Sequence, residues 1–278
     1  MKYRHAFHAG NFADVMKHVA LTAVLLRLAE KERPIFVLDT HAGRGRYEIG
    51  GASEAGRGIH RLASAAIPAD SPAIARYLEI VRSFNAGTAA IATYPGSPLI
   101  TAALLRPQDR AAYCEFLSAE SDALRREFRR EPRIGVHCRD GFEALGALLP
   151  PAEKRGLALI DPPYEEQEQD LAQVADALVT AAARWPQGVL MAWYPIKQGV
   201  VAARLHRRLR DAGIRQLLVA ELCIHPDDSR AGLNGSGLVT INPPWHFDRD
   251  LRQAIPFLHG LLAEAGAGRT RVALLADD

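Results

Sequence analysis

Pro34-Ile35-Phe36-Val37-Leu38-Asp39-Thr40-His41-Ala42-Gly43-Arg44-Gly45 is a short apolar, β-branched run that follows a proline and breaks into a glycine loop. The economical reading is a buried strand ending in a sharp turn, where Gly43 lets the backbone approach a ligand closely. Upstream, Phe12 to Glu32 carries apolar residues at helical spacing (Val15, Val19, Leu25, Leu26), with Asn11 placed to cap the helix and Asp14 three positions on. Downstream, Gly50 to Tyr94 carries no convincing strand, has helical patches around Ile59 to Ala66 and Ile74 to Phe84, and is interrupted by Pro68 and Pro72. It reads as a small helical insertion. From Gly96 the alternation resumes, with Ser97 as a cap and Pro98 as a favoured first helical residue. Strands are expected at Ala111 to Glu115, Arg133 to Cys138, Leu157 to Asp161, Val189 to Tyr194, Gln216 to Cys223 and Leu238 to Ile241. The last two are joined by the turn-rich His225 to Gly237, which has no room for a packed crossover helix, so they should pair antiparallel. The predicted fold class is α/β: a doubly wound, mostly parallel sheet with a C-terminal antiparallel hairpin and a small helical insertion. Residues 1–49 and 95–278 would form the main domain, with an N-terminal helical segment 1–32, and residues 50–94 the insertion.

A chain of 278 residues, 48% hydrophobic and 24% charged, can bury a substantial core without staples. Disorder and small disulfide scaffolds are excluded. Cys114, Cys138 and Cys223 are odd in number and widely spaced, which leaves neither a disulfide framework nor a paired zinc motif and suits a reducing cytosol. Apolar runs such as Val19 to Leu28 fall short of the ~18–20 residues a bilayer span needs, and Met1 to Gly10 lacks an apolar targeting core. A soluble, cytoplasmic protein without a membrane partner is expected. The net charge of +2 conceals two basic runs, Arg125 to Arg133 and Arg204 to Arg210, which permit a polyanionic partner.

Ligands of a doubly wound sheet sit beyond the carboxyl ends of its strands, so the candidate residues are those at strand ends. A dinucleotide fingerprint fails, because the third glycine position counted from Gly43 and Gly45 is Glu48; a Walker loop fails for want of a following lysine. Glu115 can accept two hydrogen bonds from a ribose diol. Asp140-Gly141-Phe142 offers a carboxylate and a backbone amide to an adenine edge, or simply a helix cap. Asp161-Pro162-Pro163-Tyr164 is the sharpest feature. Its double proline removes two N–H donors and leaves carbonyls outward, with a carboxylate before them and an aromatic ring after them. Asp161 and the Pro162 carbonyl can accept both hydrogens of an exocyclic amino group while Tyr164 stacks on the base. That addresses the chemistry of an adenine N6, a poor nucleophile whose lone pair is delocalised into the ring. Asn242-Pro243-Pro244-Trp245 has the same layout, but an asparagine cannot accept a proton, and it reads as a structural turn. His5 and His8 are spaced like ligands without a second pair to complete a metal site, so no metal is expected.

Taken together, Tyr3 to His18, Asp39 to Tyr47, Tyr94 to Pro98, Asp140 to Phe142, Ile160 to Tyr164, Trp193 to Pro195 and Ile241 to Trp245 resemble the RlmJ family. Its members are S-adenosylmethionine-dependent 23S ribosomal RNA adenine-N6 methyltransferases with a Rossmann-like fold. The resemblance implies that Lys17, His18, His41 and Ser97 surround the methionine part of the cofactor, that Glu115 holds its ribose, and that Asp140 and Gly141 meet its adenine. Asp161 would be the catalytic proton acceptor and Tyr3 would touch the RNA, which the family resemblance favours as free 23S rRNA before subunit assembly. The same catalytic motif serves DNA adenine methylation. A non-catalytic rRNA-binding or assembly factor is a rival of another class, and a nicotinamide-linked oxidoreductase is weakened by Glu48.

Overall fold

The computed structural model describes residues 5–50, 53–88, 90–197, 199–226, 228–230, 232–264 and 266–275. In chain order its strands are β1 (Phe36–Asp39), β2 (Arg46–Glu48), β3 (Thr93–Pro95), β4 (Arg110–Glu115), β5 (Ile134–Cys138), β6 (Gly156–Ile160), β7 (Val189–Ile196), β8 (Leu217–Cys223), β9 (Gly235–Ile241) and β10 (Arg269–Leu275). The helices are α1 (His5–His8), α2 (Phe12–Ala29), α3 (Ile59–Ala63), α4 (Pro72–Ser83), α5 (Ser97–Leu104), α6 (Ser118–Phe128), α7 (Gly141–Leu148), α8 (Gln167–Arg184), α9 (Gly199–Asp211) and α10 (Phe247–Leu262).

Eight strands form one sheet in the order β10-β8-β9-β7-β6-β1-β4-β5. The five from β7 to β5 run parallel, as the sequence predicts. The antiparallel part is larger than a single hairpin: β9 lies between β7 and β8, antiparallel to both, and β10 adds to the outside of β8. Side chains alternate across the sheet. Val37, Ala111, Leu157 and Met191 join a core with α2, α4, α5 and α10, while Leu38, Ala112, Ala158 and Leu190 face α7, α8 and α9.

Helix α2 is enclosed on nearly every side, with every residue from Phe12 to Leu25 buried. It packs between the sheet and α4, α5 and α10. Asn11 caps it by accepting from the backbone N–H groups of Ala13 and Asp14, both at 3.0 Å, and Asp14 reaches back to the Gly10 N–H at 3.0 Å. Asp140 caps α7 in the same way. Ser97 is not a cap: Gly96 takes that position, and Ser97 is the first residue of α5 with its hydroxyl directed to Asp39.

The stretch read as purely helical runs into β3, which pairs antiparallel with β2, and α3 and α4 lie between these two strands in the chain. The insertion has no core of its own, because Ile59, Leu62, Ile74 and Tyr77 belong to the same apolar cluster as α2. Near the start of α2, Phe12 is buried whereas Phe7 is exposed. Cys138, at the end of β5, is exposed. Among the described residues no helix is long and apolar enough to cross a membrane.

Candidate active site

The chain runs from β1 outward to β4 and β5, then returns to the other side of β1 with β6 and β7, so the loops after β1 and β6 diverge and leave a crevice. Both loops carry the residues singled out from sequence. The first is tied down by Thr40 N–H to the Leu159 carbonyl at 3.0 Å and by Ala42 N–H to the Cys114 carbonyl at 2.9 Å. Gly43 then turns with φ +62°, a left-handed conformation that favours glycine, and presents its N–H to Glu115 Oε2 at 2.9 Å. The Leu117 N–H takes the other Glu115 oxygen at 2.7 Å. Burial raises the Glu115 carboxyl above its ordinary range, with these amides opposing the rise.

At the end of β5, one oxygen of Asp140 receives the N–H groups of Phe142 and Glu143 at 2.7 and 3.1 Å, so the residue is a helix cap whose second oxygen takes no hydrogen bond among the described residues. Gly141 lies hard against the first loop: a Cβ there would sit 2.0 Å from the Thr40 carbonyl oxygen. His41 stands between these elements, its ring edge-on to Phe142 with centroids 5.0 Å apart. The Thr40 hydroxyl donates to the Leu159 carbonyl at 2.9 Å, so the contact of 2.8 Å between that hydroxyl and His41 Nδ1 has the ring nitrogen as donor. Nε2 is thereby left as an acceptor. Burial lowers the His41 pKa to about 4, against the pull of Asp161 and Asp140.

The centre of the site is ionic. Lys17, on α2, places its ammonium 2.8 Å from Asp14 Oδ1 and 2.5 Å from Asp161 Oδ2, and stands 5.9 Å from the centre of the Trp193 ring. Burial alone would discharge Lys17, but the charges of Asp14 and then Asp161 hold its pKa well above the ordinary value. Among the described residues Asp161 Oδ1 takes no hydrogen bond, and the Asp161 side chain keeps 15% of its surface exposed. Asp39 lies behind this pair, its carboxyl bonded to the Ser97 hydroxyl at 2.6 Å and the His41 N–H at 3.2 Å, and burial pushes its pKa up to about 7. Tyr164 donates its hydroxyl to the Trp193 carbonyl and meets the Trp193 ring edge-on at 5.5 Å, which fixes the aromatic beside Asp161.

His18 is placed differently from its neighbours in the set. It is 1% exposed, and its Nδ1 lies 2.7 Å from the hydroxyl of Tyr94, which in turn bonds that of Tyr77 at 2.8 Å. Tyr3 lies outside the described residues. The Asn242 turn sits at the far edge of the sheet, because Ile241 on β9 pairs with Leu190 at the beginning of β7; Asn242 closes the turn by donating to the carbonyls of Pro186 and Gly188.

Four carboxylates, Asp39, Glu115, Asp140 and Asp161, thus converge with one ammonium and a histidine held neutral. That donor set suits a ligand that is itself cationic and carries a ribose and an adenine, which describes S-adenosylmethionine. The family model described as ribosomal RNA large subunit methyltransferase D, RlmJ, matches residues 32–275.

The chain belongs to the RlmJ family.

A relative in Escherichia coli K12, ribosomal RNA large subunit methyltransferase J, is 38% identical over 281 residues covering 100% of both chains. The protein of the same description in Haemophilus influenzae is 39% identical over 96% of each chain. A crystal structure of protein LPL1258 from Legionella pneumophila superposes with a TM-score of 0.86 at 31% identity, covering 97% of this chain and 98% of that one. Within this RlmJ-family site, sequence reasoning overlooked Asp14 and passed over Asp39 as a strand end. The spacing of Asp14 and Lys17, three apart on a helix, was the available signal for the first. Among the described residues no group of three or more His, Cys, Asp or Glu could hold a metal ion.

Proposed function

We propose that this protein transfers a methyl group from S-adenosylmethionine to the exocyclic N6 of an adenine in 23S ribosomal RNA, with Asp161 as the group that accepts hydrogen from that nitrogen. The observation that carries this reading is the asymmetric use of the Asp161 carboxylate, one oxygen held by Lys17 and the other uncommitted beside two prolines and a fixed aromatic ring.

When bound, the cofactor supplies an already activated methyl group on a sulfonium. The chain's own residues have to present a poor nucleophile in line with it and relieve it of a proton. Asp161 Oδ1 and the Pro162 carbonyl are the acceptors for the two amino hydrogens, which favours a nitrogen whose lone pair is turned out of the base plane. Tyr164 gives the base a face to stack on once it has been swung out of its own stack. Glu115 and Asp140 would hold ribose and adenine of the cofactor, Gly43 and Gly141 would bring backbone close to it, and Lys17, His41 and Ser97 would border its methionine end, with His18 behind them. Tyr3 would reach the RNA. The reading extends to unassembled rRNA as the substrate and the cytoplasm as the place of work.

The test is transfer of labelled methyl groups to protein-free 23S rRNA, intact subunits and adenine-containing DNA by wild type and Asp161→Ala, with the product nucleoside identified by mass. N6-methyladenosine formed on free rRNA by the wild type alone is expected. Product on DNA only would move the substrate, and cofactor binding without turnover on any polymer would leave a binding or assembly factor.

A further inference from the structure

Asp14 has been given no role in the chemistry so far, yet it is 4% exposed and both of its carboxylate oxygens are engaged. Its Oδ2 accepts from the Gly10 N–H at 3.0 Å, and Oδ1 faces the Lys17 ammonium at 2.8 Å. Gly10 is itself fixed, turning at φ +76° and receiving the Ile59 N–H on its carbonyl at 2.8 Å. The backbone therefore positions Asp14, Asp14 positions Lys17, and Lys17 meets Asp161. We propose that Asp14 is a positioning residue for methyl transfer: it shares the charge of Lys17 and holds that ammonium on one oxygen of Asp161, so that the other oxygen remains a competent acceptor for the amino group of the target base. The inference rests on the assignment of Asp161 as that acceptor.

The physical argument is a balance of charge. A lone ammonium buried against a single carboxylate would neutralise it and weaken it as an acceptor. A second carboxylate divides the ammonium between two partners and leaves the trio with net negative charge. Other groups face Asp161 from the elements around it: Asp39 at the end of β1, His41 in the loop beyond, and Tyr164 after the double proline. Asp39 adds negative charge only when ionised, and buried His41 and Tyr164 are neutral near pH 7, so Lys17 is the cation whose charge has to be shared.

The experiment uses the full chain and Asp14→Asn, which is isosteric and can still accept the Gly10 N–H while turning an amide towards Lys17. Expected is a fall in kcat of roughly tenfold or more, equivalent to about 1.4 kcal/mol or more of barrier, with KM for S-adenosylmethionine and for rRNA within about threefold of wild type. The acid limb of the kcat profile should move to lower pH, because the full charge of Lys17 then falls on Asp161. Asp14→Glu, which keeps the charge, should recover much of the loss. A wild-type rate in Asp14→Asn overturns the proposal, and so does a fall in kcat with the acid limb unmoved. If both variants lose cofactor binding by calorimetry, Asp14 serves folding and the proposal also fails. Asp161→Ala separates the two levels: if it turns over normally the acceptor assignment is wrong, whereas if it is inactive and Asp14→Asn is normal, only the role of Asp14 falls.

Discussion

Burial holds the Asp39 carboxyl up at about 7 against an ordinary 3.8, even though the Ser97 hydroxyl and the His41 amide favour its ionised form. Because the folded protein keeps this proton longer than the unfolded chain does, the group's contribution to stability is full below about pH 4, declines as pH rises, and is lost by about pH 7. Asp39→Asn removes that dependence. The Tm of the variant minus that of wild type should therefore rise between pH 4 and 7 and level off above, in paired calorimetric scans. Gly141 supplies a second expectation at this scale. A methyl group there would lie 2.0 Å from the Thr40 carbonyl oxygen, and backbone on both sides cannot yield cheaply. Gly141→Ala should cost on the order of 1–3 kcal/mol in urea titrations, the usual range for overpacking. A cost near zero would mean that α7 shifts freely against the β1 loop.

Between elements, the contact with most consequence is the Tyr77–Tyr94–His18 chain, which ties α4 and β3 of the insertion to the buried helix α2 next to Lys17. Tyr94→Phe takes one hydrogen bond from each of two buried side chains, His18 and Tyr77, and about 1–3 kcal/mol of stability should be lost by denaturant unfolding. An unchanged midpoint would show that water replaces the hydroxyl. How legible these elements were depended on length and burial. The five parallel strands announce themselves as apolar runs bounded by turn residues, and the Asp161 and Asp140 motifs stand at their ends. Strands β2 and β3 have only three residues each, too few for alternation to register. Strand β10, Arg269–Leu275, is an edge strand with an exposed Arg-Thr-Arg start, and α10 carries Pro256 inside it, so neither pattern was read. In the site, carboxylates at strand ends were readable from position alone. The Lys17 pairing was not, because it joins residues 144 apart, and only the folded topology brings α2 under the end of β6.

At the scale of the whole molecule the two ends of the sheet's strands differ in character. All the strand-end carboxylates crowd one end, while the exposed Trp245, which shares its double-proline layout with Tyr164, stands at the other, where β9 ends and β7 begins. Trp245→Ala should accordingly leave kcat and KM within about twofold of wild type, as surface changes away from a site usually do. A larger loss would mean that substrate reaches around the molecule. Both basic runs are partly engaged within the chain: Arg204 and Arg208 pair with Glu168 and Asp176 across α8 and α9, and Arg133 is occupied by Glu131 and the Leu105 and Arg106 carbonyls. Helix α2 precedes every strand of the sheet in the chain, yet it packs against β9 and α10, which are made after the whole parallel part of the sheet. At elongation speeds of about 5–20 residues per second, Lys17 leaves the ribosome on the order of ten seconds before Asp161. During that interval an apolar helix that will be enclosed on nearly every side has no sheet to lie on. Nascent chains of this protein should therefore recruit chaperones early and acquire the site abruptly, when β9 and α10 emerge.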